Sequence, residues 1–366
     1  MRREKDDTMM QRRRFLTTLA AGMTGTLAGA PAWAAVGAPD FITAANRPDK
    51  SSWLVGLTQA GDVTFQIPIP GRGHAAATHP TRAEAVCFAR RPGRFAVVLN
   101  CATGHELSRL KCPPGRHFYG HGAFSADGTR LFTTENDYDE LTGVIGIWDV
   151  ENHYARIGEV PSGGIGPHEI LRRADGGFVV ANGGIQTHPD MARTKLNLPN
   201  MRPMLTYLDA DGQIEESVAL TGEMHKNSIR HIALASDGTV LVALQWQGNP
   251  LDRVPMVARH QRGTDLELLA HPDEVLLKNY AGSIAVDRMT GGFSVTGPKG
   301  GAILHFEADG TPKGATHHDT ASGAAPGARR GLVFTSDTGL VHRTEGAETL
   351  IPVDGDWSWD NHLIAV

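Results

Sequence analysis

The sequence predicts an all-β fold, a seven-bladed β-propeller, from a repeated motif, the spacing of its copies and a turn-rich composition. In the clearest copy a loop leads to His121, a short apolar strand, an Asp-Gly turn at residues 127–128 and a second strand. The same order of features follows His168 and His231. Self-similarity at a nearly fixed period is the sequence signature of repeat architectures.

The spacing of the copies fits propeller blades. Seven positions share one register: His74, His121, His168, His231, Ser283, Gly331 and His362. The steps between them are 47, 47, 63, 52, 48 and 31 residues, and about 40–50 residues is typical of a four-stranded blade. The 43 glycines and 21 prolines of the 366-residue chain supply turns between short Val/Ile/Leu/Phe segments.

The ends of the chain predict how the ring closes. The seventh copy has only its first strand before the sequence ends at Val366. Predicted strands at residues 53–58 and 63–67 supply the missing part of that blade. An N-terminal segment that completes the C-terminal blade leaves few free strand edges.

The first 34 residues are typical of a twin-arginine secretory signal. Arg12, Arg13 and Arg14 precede an apolar run over residues 16–30, and Ala32-Trp33-Ala34 is a small-x-small cleavage site. The run is shorter than the ~20 apolar residues of a membrane span. We therefore expect a flexible lead-in at residues 35–50, a single propeller domain at 51–366 and a periplasmic location. Because this route exports folded proteins, it favours a bound metal or prosthetic group.

The repeat predicts a ring of histidines. The first strand of each blade lines the central channel, so equivalent positions surround one channel mouth. Five of the seven positions are histidine: His74, His121, His168, His231 and His362. Imidazole is the commonest metal ligand at neutral pH and suits Zn, Cu, Fe and Ni. The alternative is a structural role, in which each histidine forms hydrogen bonds within its own blade. Histidines on opposite sides of a wide seven-bladed mouth would be too far apart to share one ion.

Other polar residues are predicted at the same rim, because second strands run back toward it. The candidate ligand-binding residues are Arg116, His117, Glu135, Asn136, Asp137, Glu169, Asn182, Arg230, Gln245 and Trp246. Carboxylates among them can be metal ligands or can orient the imidazole rings. The arginines favour an anionic ligand or a metal chelate.

Several other kinds of chemistry lack support in the sequence. There is no Gly-x-Ser-x-Gly elbow, no phosphate-binding Gly-x-x-x-x-Gly-Lys and no Cys-x-x-Cys-His. The net charge of −5 gives no case for nucleic acid. Cys101 and Cys112 either pair in an oxidising compartment or remain buried thiols.

At these residues the sequence resembles the domain-of-unknown-function family numbered 1513. The resemblance is carried by residues 72–74, 115–121, 134–137, 166–169, 182–185, 228–231, 245–248 and 359–362. It implies an exported propeller of a kind often encoded beside imelysin-type periplasmic iron-uptake proteins, and so a role in iron or copper acquisition with such proteins as partners. It implies no established activity, and the fifth and sixth blades lack the histidine.

Three hypotheses follow. The first is a periplasmic propeller that binds iron, copper or a metal chelate at the histidine-lined mouth and assists metal uptake. The second is a metal-dependent lactonase-like hydrolase or an oxidoreductase that uses the same face. The third is a metal-free platform for protein interaction.

Overall fold

The computed structural model describes residues 32–90, 93–191 and 194–366. Most of the predicted signal, residues 1–31, lies outside these ranges. Within them the regular secondary structure is almost entirely β-strand, arranged as seven antiparallel sheets around a common axis. The predicted seven-bladed propeller is confirmed. In this part of the chain no helix is both long and apolar enough to cross a bilayer.

The strands follow one another blade by blade. The N-terminal strands are β1 (Phe41–Asn46), β2 (Ser52–Leu57) and β3 (Val63–Ile69). The first blade has β4 (Gly73–Thr78), β5 (Glu84–Ala89), β6 (Ala96–Asn100) and β7 (Glu106–Leu110). The second has β8 (Arg116–Phe124), β9 (Arg130–Asp137), β10 (Thr142–Asp149) and β11 (Ala155–Pro161). The third has β12 (Pro167–Arg172), β13 (Phe178–Asn182), β14 (Met204–Leu208) and β15 (Ile214–Ala219).

The remaining blades repeat this pattern. The fourth has β16 (Asn227–Leu234), β17 (Val240–Trp246), β18 (Val257–His260) and β19 (Glu267–Leu269). The fifth has β20 (Ser283–Val286), β21 (Phe293–Gly297), β22 (Ala302–Phe306) and β23 (Pro312–His317). The sixth has β24 (Ala324–Pro326), β25 (Leu332–Ser336), β26 (Gly339–Thr344) and β27 (Ala347–Ile351), and the C-terminal strands are β28 (Ser358–Trp359) and β29 (Ile364–Ala365). The described helices are short 3-10 turns at Ala32–Val36, Pro189–Met191, Leu198–Asn200, Gly222–Lys226 and Glu274–Leu277.

The seventh blade joins the two ends of the chain, as predicted. Strands β28 and β29 together form its innermost strand, and both pair with β1, which is followed outward by β2 and β3. We expected residues 35–50 to be a flexible lead-in, but residues 41–46 form the second strand of this blade. Trp33 is also packed, since it is buried and its indole N–H donates to the carbonyl of His79.

Two blades are assigned differently from the sequence prediction. In the first blade the second strand is Glu84–Ala89, so it ends beside Arg90 rather than at Asn100. In the sixth blade the innermost strand is Ala324–Pro326, and the segment predicted to be innermost, which begins near Gly331, is the second strand. The hairpin between these two strands is at the end of the blade opposite the histidines.

The hydrophobic core lies between neighbouring blades. One cluster joins the second and third blades through Phe132 and Phe178, whose ring centroids are 4.3 Å apart. Inner strands such as Phe178–Asn182 are fully buried, so they are almost continuously apolar instead of alternating. Burial on both faces makes the inner strands a rigid frame for the polar residues at the channel mouth.

Candidate metal centre

Each histidine-bearing inner strand is irregular at its histidine. The register between first and second strands shifts between Gly73 and Ala76 in the first blade, and between Phe118 and Gly122 in the second. It shifts across His168 in the third and just before His231 in the fourth. The fifth and sixth blades, which lack the histidine, pair without a shift. A bulge places extra residues in one strand and re-aims a side chain, here toward the channel.

The seventh blade has its own version of this irregularity. Its innermost strand is interrupted between β28 and β29, and the segment that separates them contains Asp360, Asn361 and His362. His362 is therefore displayed in the same way as the four histidines on bulges.

The five imidazoles form one compact cluster, which we call the five-histidine centre. The ring centroid of His362 lies 4.5 Å from that of His121, 4.6 Å from that of His74 and 4.7 Å from that of His231. His168 completes the cluster, with its centroid 4.7 Å from that of His231 and 5.0 Å from that of His121. The bulges thus bring together rings that a regular seven-bladed channel would hold further apart.

Several ring nitrogens in this cluster lack a hydrogen bond. Among the described residues four buried atoms have no hydrogen-bond partner: His121 Nε2, His168 Nδ1, His231 Nδ1 and His362 Nε2. Buried polar groups in proteins are normally hydrogen-bonded, and an unsatisfied group costs about 1–3 kcal/mol. Histidines with a purely structural role would have hydrogen-bonded ring nitrogens, so four unsatisfied atoms in one cluster argue against such a role.

The ring nitrogens and one carboxylate group into sets that can surround an ion. Three such sets have their ligand atoms within 4.8 Å of one another: His74 with His121 and His362, His121 with His168 and His231, and Glu169 with His231 and His362. Each set shares a member with each of the others. The centre therefore offers imidazoles and a single carboxylate to an ion or ions placed among them.

Glu169 supplies negative charge inside the cluster. Its Oε2 accepts the backbone N–H of Ile232 at 2.7 Å, which fixes the carboxylate. Its oxygens lie 3.5 Å from His231 Nδ1, 3.7 Å from His121 Nδ1 and 4.0 Å from His362 Nδ1. Glu169 follows His168 on the bulged strand β12, so the same bulge places both side chains in the centre.

Asp360 orients the remaining histidine. Its Oδ1 lies 3.1 Å from His74 Nδ1, so the Nε2 atom of His74 is left for another partner. Arg90 and Arg72 also donate to this buried carboxylate, at 2.6 and 3.0 Å. Burial alone would raise the pKa of Asp360, but the bond from His74 and the two guanidinium charges lower it to about 2.

The environment keeps most of the imidazoles neutral. Burial lowers the pKa of His121 and of His362 well below the ordinary histidine value, and neighbouring imidazoles lower it further. Burial has the same effect on His168, where the charge of Arg230 adds to it. Burial also lowers the pKa of His74, although Asp360 opposes the shift. Neutral imidazole is the form that binds metal, so these histidines need not lose a proton at neutral pH.

A cavity of about 950 Å³ opens above the cluster. His74, His168 and His231 line it, whereas His121, His362 and Glu169 are not among its described lining residues and lie behind them. The upper walls include residues from the connections between second and third strands, such as Arg94, Thr187, Gln247 and Lys299. An ion in the centre would therefore be reachable from this cavity.

A family model described as a protein of unknown function, DUF1513, matches residues 67–366. The chain belongs to this family. The resemblance stated from the sequence is thus confirmed, while the iron-uptake context that it implies stays a prediction. No functionally curated protein matches the chain.

Solved structures similar to this DUF1513 member show the fold alone. Hydrazine synthase of Kuenenia stuttgartiensis has a TM-score of 0.62 at 14% identity, with 89% of this chain and 100% of that chain covered. The β-propeller domain of Cps50 (Swd1) from Myceliophteria thermophila has 0.56 at 11%, with 81% and 93% covered. A functionally unknown protein from Desulfotomaculum acetoxidans DSM 771 has 0.53 at 12%, with 88% and 99% covered.

Half of the predicted ligand-binding residues of this DUF1513 member bond to the protein outside the cavity. Glu135 accepts two hydrogen bonds from Arg156, at 2.6 and 3.0 Å, and its burial raises its pKa. Arg116 donates to Asp137 at 2.9 Å and also pairs with Glu159. The amides behave similarly: Asn136 donates to the carbonyl of Thr187, and Asn182 bonds Ser162 and Thr206. None of these five predicted residues is among the cavity-lining residues.

The other predicted residues lie at the centre or around the cavity. His117, Arg230, Gln245 and Trp246 line the cavity, and Glu169 is in the five-histidine centre. His117 stacks on Tyr119, with ring centroids 5.8 Å apart, and Gln245 donates to the carbonyl of Ala281 at 3.1 Å.

Sequence reasoning missed several residues of the site. Asp360 falls within the motif over residues 359–362 but is not among the predicted site residues, although its place two residues before His362 puts it at the same mouth. Arg90 was missed because the second strand of the first blade was placed too late. Arg94, Lys195, Tyr280 and Lys299 lie in connections and carry no periodic signal.

Proposed function

We propose that this protein binds a transition metal ion, iron or copper, at the five-histidine centre and assists metal uptake in the periplasm. The observation that carries the proposal is the set of four buried imidazole nitrogens without a hydrogen-bond partner, clustered with Glu169. A metal ion would give nitrogens of this cluster a partner, whereas a purely structural role would leave them unsatisfied.

The donor set favours ions of intermediate softness. Imidazole suits Zn, Cu, Fe and Ni, and hard ions such as Mg²⁺ and Ca²⁺ prefer oxygen ligands. Two of the ligands are oriented by hydrogen bonds: Asp360 accepts from His74, and Glu169 accepts from the backbone N–H of Ile232. Such outer bonds typically change metal affinity by about 10–100-fold. Bound iron or copper would supply Lewis acidity or one-electron chemistry at the cavity floor.

The proposed role in uptake rests on the sequence and on access. The twin-arginine segment predicts export, and the family resemblance implies imelysin-type iron-uptake partners. The cavity gives the centre one open side through His74, His168 and His231, so an ion can be taken up and passed on without unfolding the blades. Fractionation of cells and growth under iron or copper limitation, with and without this protein, test export and uptake.

Metal analysis of the purified protein tests the central proposal. The wild-type protein, isolated after export and without added chelators, is expected to contain stoichiometric iron or copper. The double variant His121→Ala/His231→Ala removes members of all three ligand sets and should lose it. His260→Gln is the matched control, because His260 is equally buried but bonds Tyr207 at 2.6 Å in the fourth blade's wall.

Thermal unfolding of each variant separates loss of metal from loss of fold. Retained metal in a folded double variant would contradict the proposal. Absence of any bound transition metal in the wild-type protein, even after loading with iron and copper salts, would favour the metal-free interaction platform.

A further inference from the structure

We infer that the cavity above the five-histidine centre binds a small organic polycarboxylate, which reaches the metal from its open side. This inference rests on the proposed function and names the class of ligand that the site takes with the metal. The observations behind it concern residues that lie outside the five-histidine centre.

The cavity wall is strongly cationic. Five of its lining side chains belong to arginine or lysine, and they come from three connections and one strand in four different blades: Arg90, Arg94, Lys195, Arg230 and Lys299. No aspartate or glutamate is among the lining residues of the described chain. The chain as a whole has a net charge of −5, so positive charge is concentrated here against the overall balance. Such focusing in a concave site attracts anions.

Some of the basic side chains already interact with other groups of the protein, and the accessible ones determine which ligand can bind. Arg90 is neutralised in part by Asp360, and Lys195 bonds the side-chain oxygen of Gln247. Lys299 lies over the ring of Tyr280, with its Nζ 4.6 Å from the centroid. Arg94 and Lys299 are exposed on the wall, so an anion can reach them at little desolvation cost.

The size and composition of the cavity favour an organic anion over a simple inorganic one. About 950 Å³ is at the upper end of the range for small-molecule sites, and an ion with its waters needs only a small part of it. Tyr119, Trp246 and Tyr280 add flat apolar surface between the cations, and Gln245 and Asn361 add amides. Charges spread around the wall match several carboxylates on one molecule better than one compact phosphate.

The geometry also places such a ligand next to the metal. His74, His168 and His231 line the floor of the same cavity, so a carboxylate held by the wall can occupy a coordination position that the protein leaves open. The wall would then select the form in which the metal arrives, an anionic complex, and the five-histidine centre would take the ion.

Calorimetric titration with citrate tests the inference. Citrate is added to the metal-free protein and to the copper-loaded protein, at two salt concentrations. Wild-type protein should bind citrate in both forms, more tightly with copper, and more weakly at higher salt. The double variant Arg94→Gln/Lys299→Gln should bind citrate at least tenfold more weakly. The matched control, Arg329→Gln/Lys313→Gln, makes the same change of charge away from the cavity and should bind like wild type.

The outcomes separate this inference from the proposed function. Citrate binding that is absent, or equal in the wild type and the Arg94/Lys299 variant, overturns the inference even if copper binds. Binding of inorganic phosphate that is tighter than that of citrate overturns it as well. Citrate binding that depends on Arg94 and Lys299 in a protein that takes up no metal supports the anion site and removes the metal proposal.

Discussion

His74 and Asp360, 286 residues apart in the chain, meet across the join between the first and seventh blades with Nδ1 and Oδ1 3.1 Å apart. The contact closes the ring of blades and orients a member of the five-histidine centre at the same time. The side chain of Asp360 is fully buried and accepts from Arg72 and Arg90 as well.

Asp360→Asn should therefore reduce both stability and metal affinity. The amide keeps the shape but loses the charge that two guanidinium groups and His74 require, and breaking a buried ion pair typically costs about 3–5 kcal/mol. We expect a lower Tm and about 10–100-fold weaker copper binding. Asp354→Asn, an exposed aspartate in the preceding connection, is the control. Unchanged metal affinity in a folded Asp360→Asn protein would show that His74 needs no such orientation.

Gly120 is predicted to be essential for the position of His74. Its φ is +108°, and a Cβ added there would lie 2.6 Å from His74 Cδ2. Gly120→Ala should therefore displace the imidazole and weaken metal binding, in addition to the backbone strain of about 1–2 kcal/mol. Measurement of Tm and of copper affinity distinguishes the two effects.

Gly238→Ala is the matched control for Gly120→Ala. Gly238 has a φ of +85° in the turn between β16 and β17, and a Cβ there meets nothing within 4 Å. It should show the same backbone strain with normal metal affinity. Equal metal affinity in both variants would mean that His74 does not contribute to the centre.

The sequence was sufficient for the architecture and for the identity of the five histidines because both depend on the repeat. A shared register places His74, His121, His168, His231 and His362 at one mouth, whatever the detail of each blade. The shared register did not predict how far apart the five imidazole rings lie. Regular strands would have kept the rings at the channel wall, and the bulges that bring them together leave no period in the sequence.

The errors in blade assignment have local causes. Residues 92–93 are Pro-Gly, a stronger turn signal than the Thr-Arg-Ala segment that precedes the true second strand of the first blade. The innermost strand of the sixth blade, Ala324–Pro326, has three residues and includes a proline, so it lacks the apolar run that marks other inner strands. Side-chain partners such as Glu135 with Arg156 depend on which way a residue faces between blades, which a motif does not encode.

The substitutions Glu169→Gln and Glu135→Gln each remove the charge of a buried glutamate, and they should affect copper affinity and Tm in different ways. Glu169→Gln removes the only carboxylate in the three ligand sets while an amide oxygen can still accept from Ile232. We expect copper binding to weaken by about 10–100-fold with a small change in Tm. Glu135→Gln leaves Arg156 without its buried partner and should lower the Tm without changing copper affinity. The reverse pattern, found by titration and thermal unfolding of both variants, would remove Glu169 from the centre.

The metal-free protein should lose stability as the pH falls below about 6.5. The pKa values of His74, His121, His168 and His362 are lowered by burial, so below that pH the unfolded chain binds protons that the folded chain does not. Each such histidine contributes a slope of about 1.4 kcal/mol per pH unit between its folded and unfolded pKa values. The folded protein therefore has its full stability above the pKa of the unfolded-state histidines, and its free energy of unfolding decreases as the pH falls below that value.

Urea unfolding between pH 7.5 and 5 checks the size of this slope and its origin. His168→Asn removes one of the titrating groups and should make the dependence of the free energy of unfolding on pH shallower by up to about 1.4 kcal/mol per unit. His105→Asn, at an exposed position, should leave it unchanged. Saturation with copper should raise stability over the whole range, because the ion binds only the folded cluster and protons must compete with it for the same nitrogens. A metal-free protein whose stability is flat from pH 7.5 to 5 would show that the imidazoles take up protons freely in the folded state, and the neutral donor set on which metal binding depends would not exist.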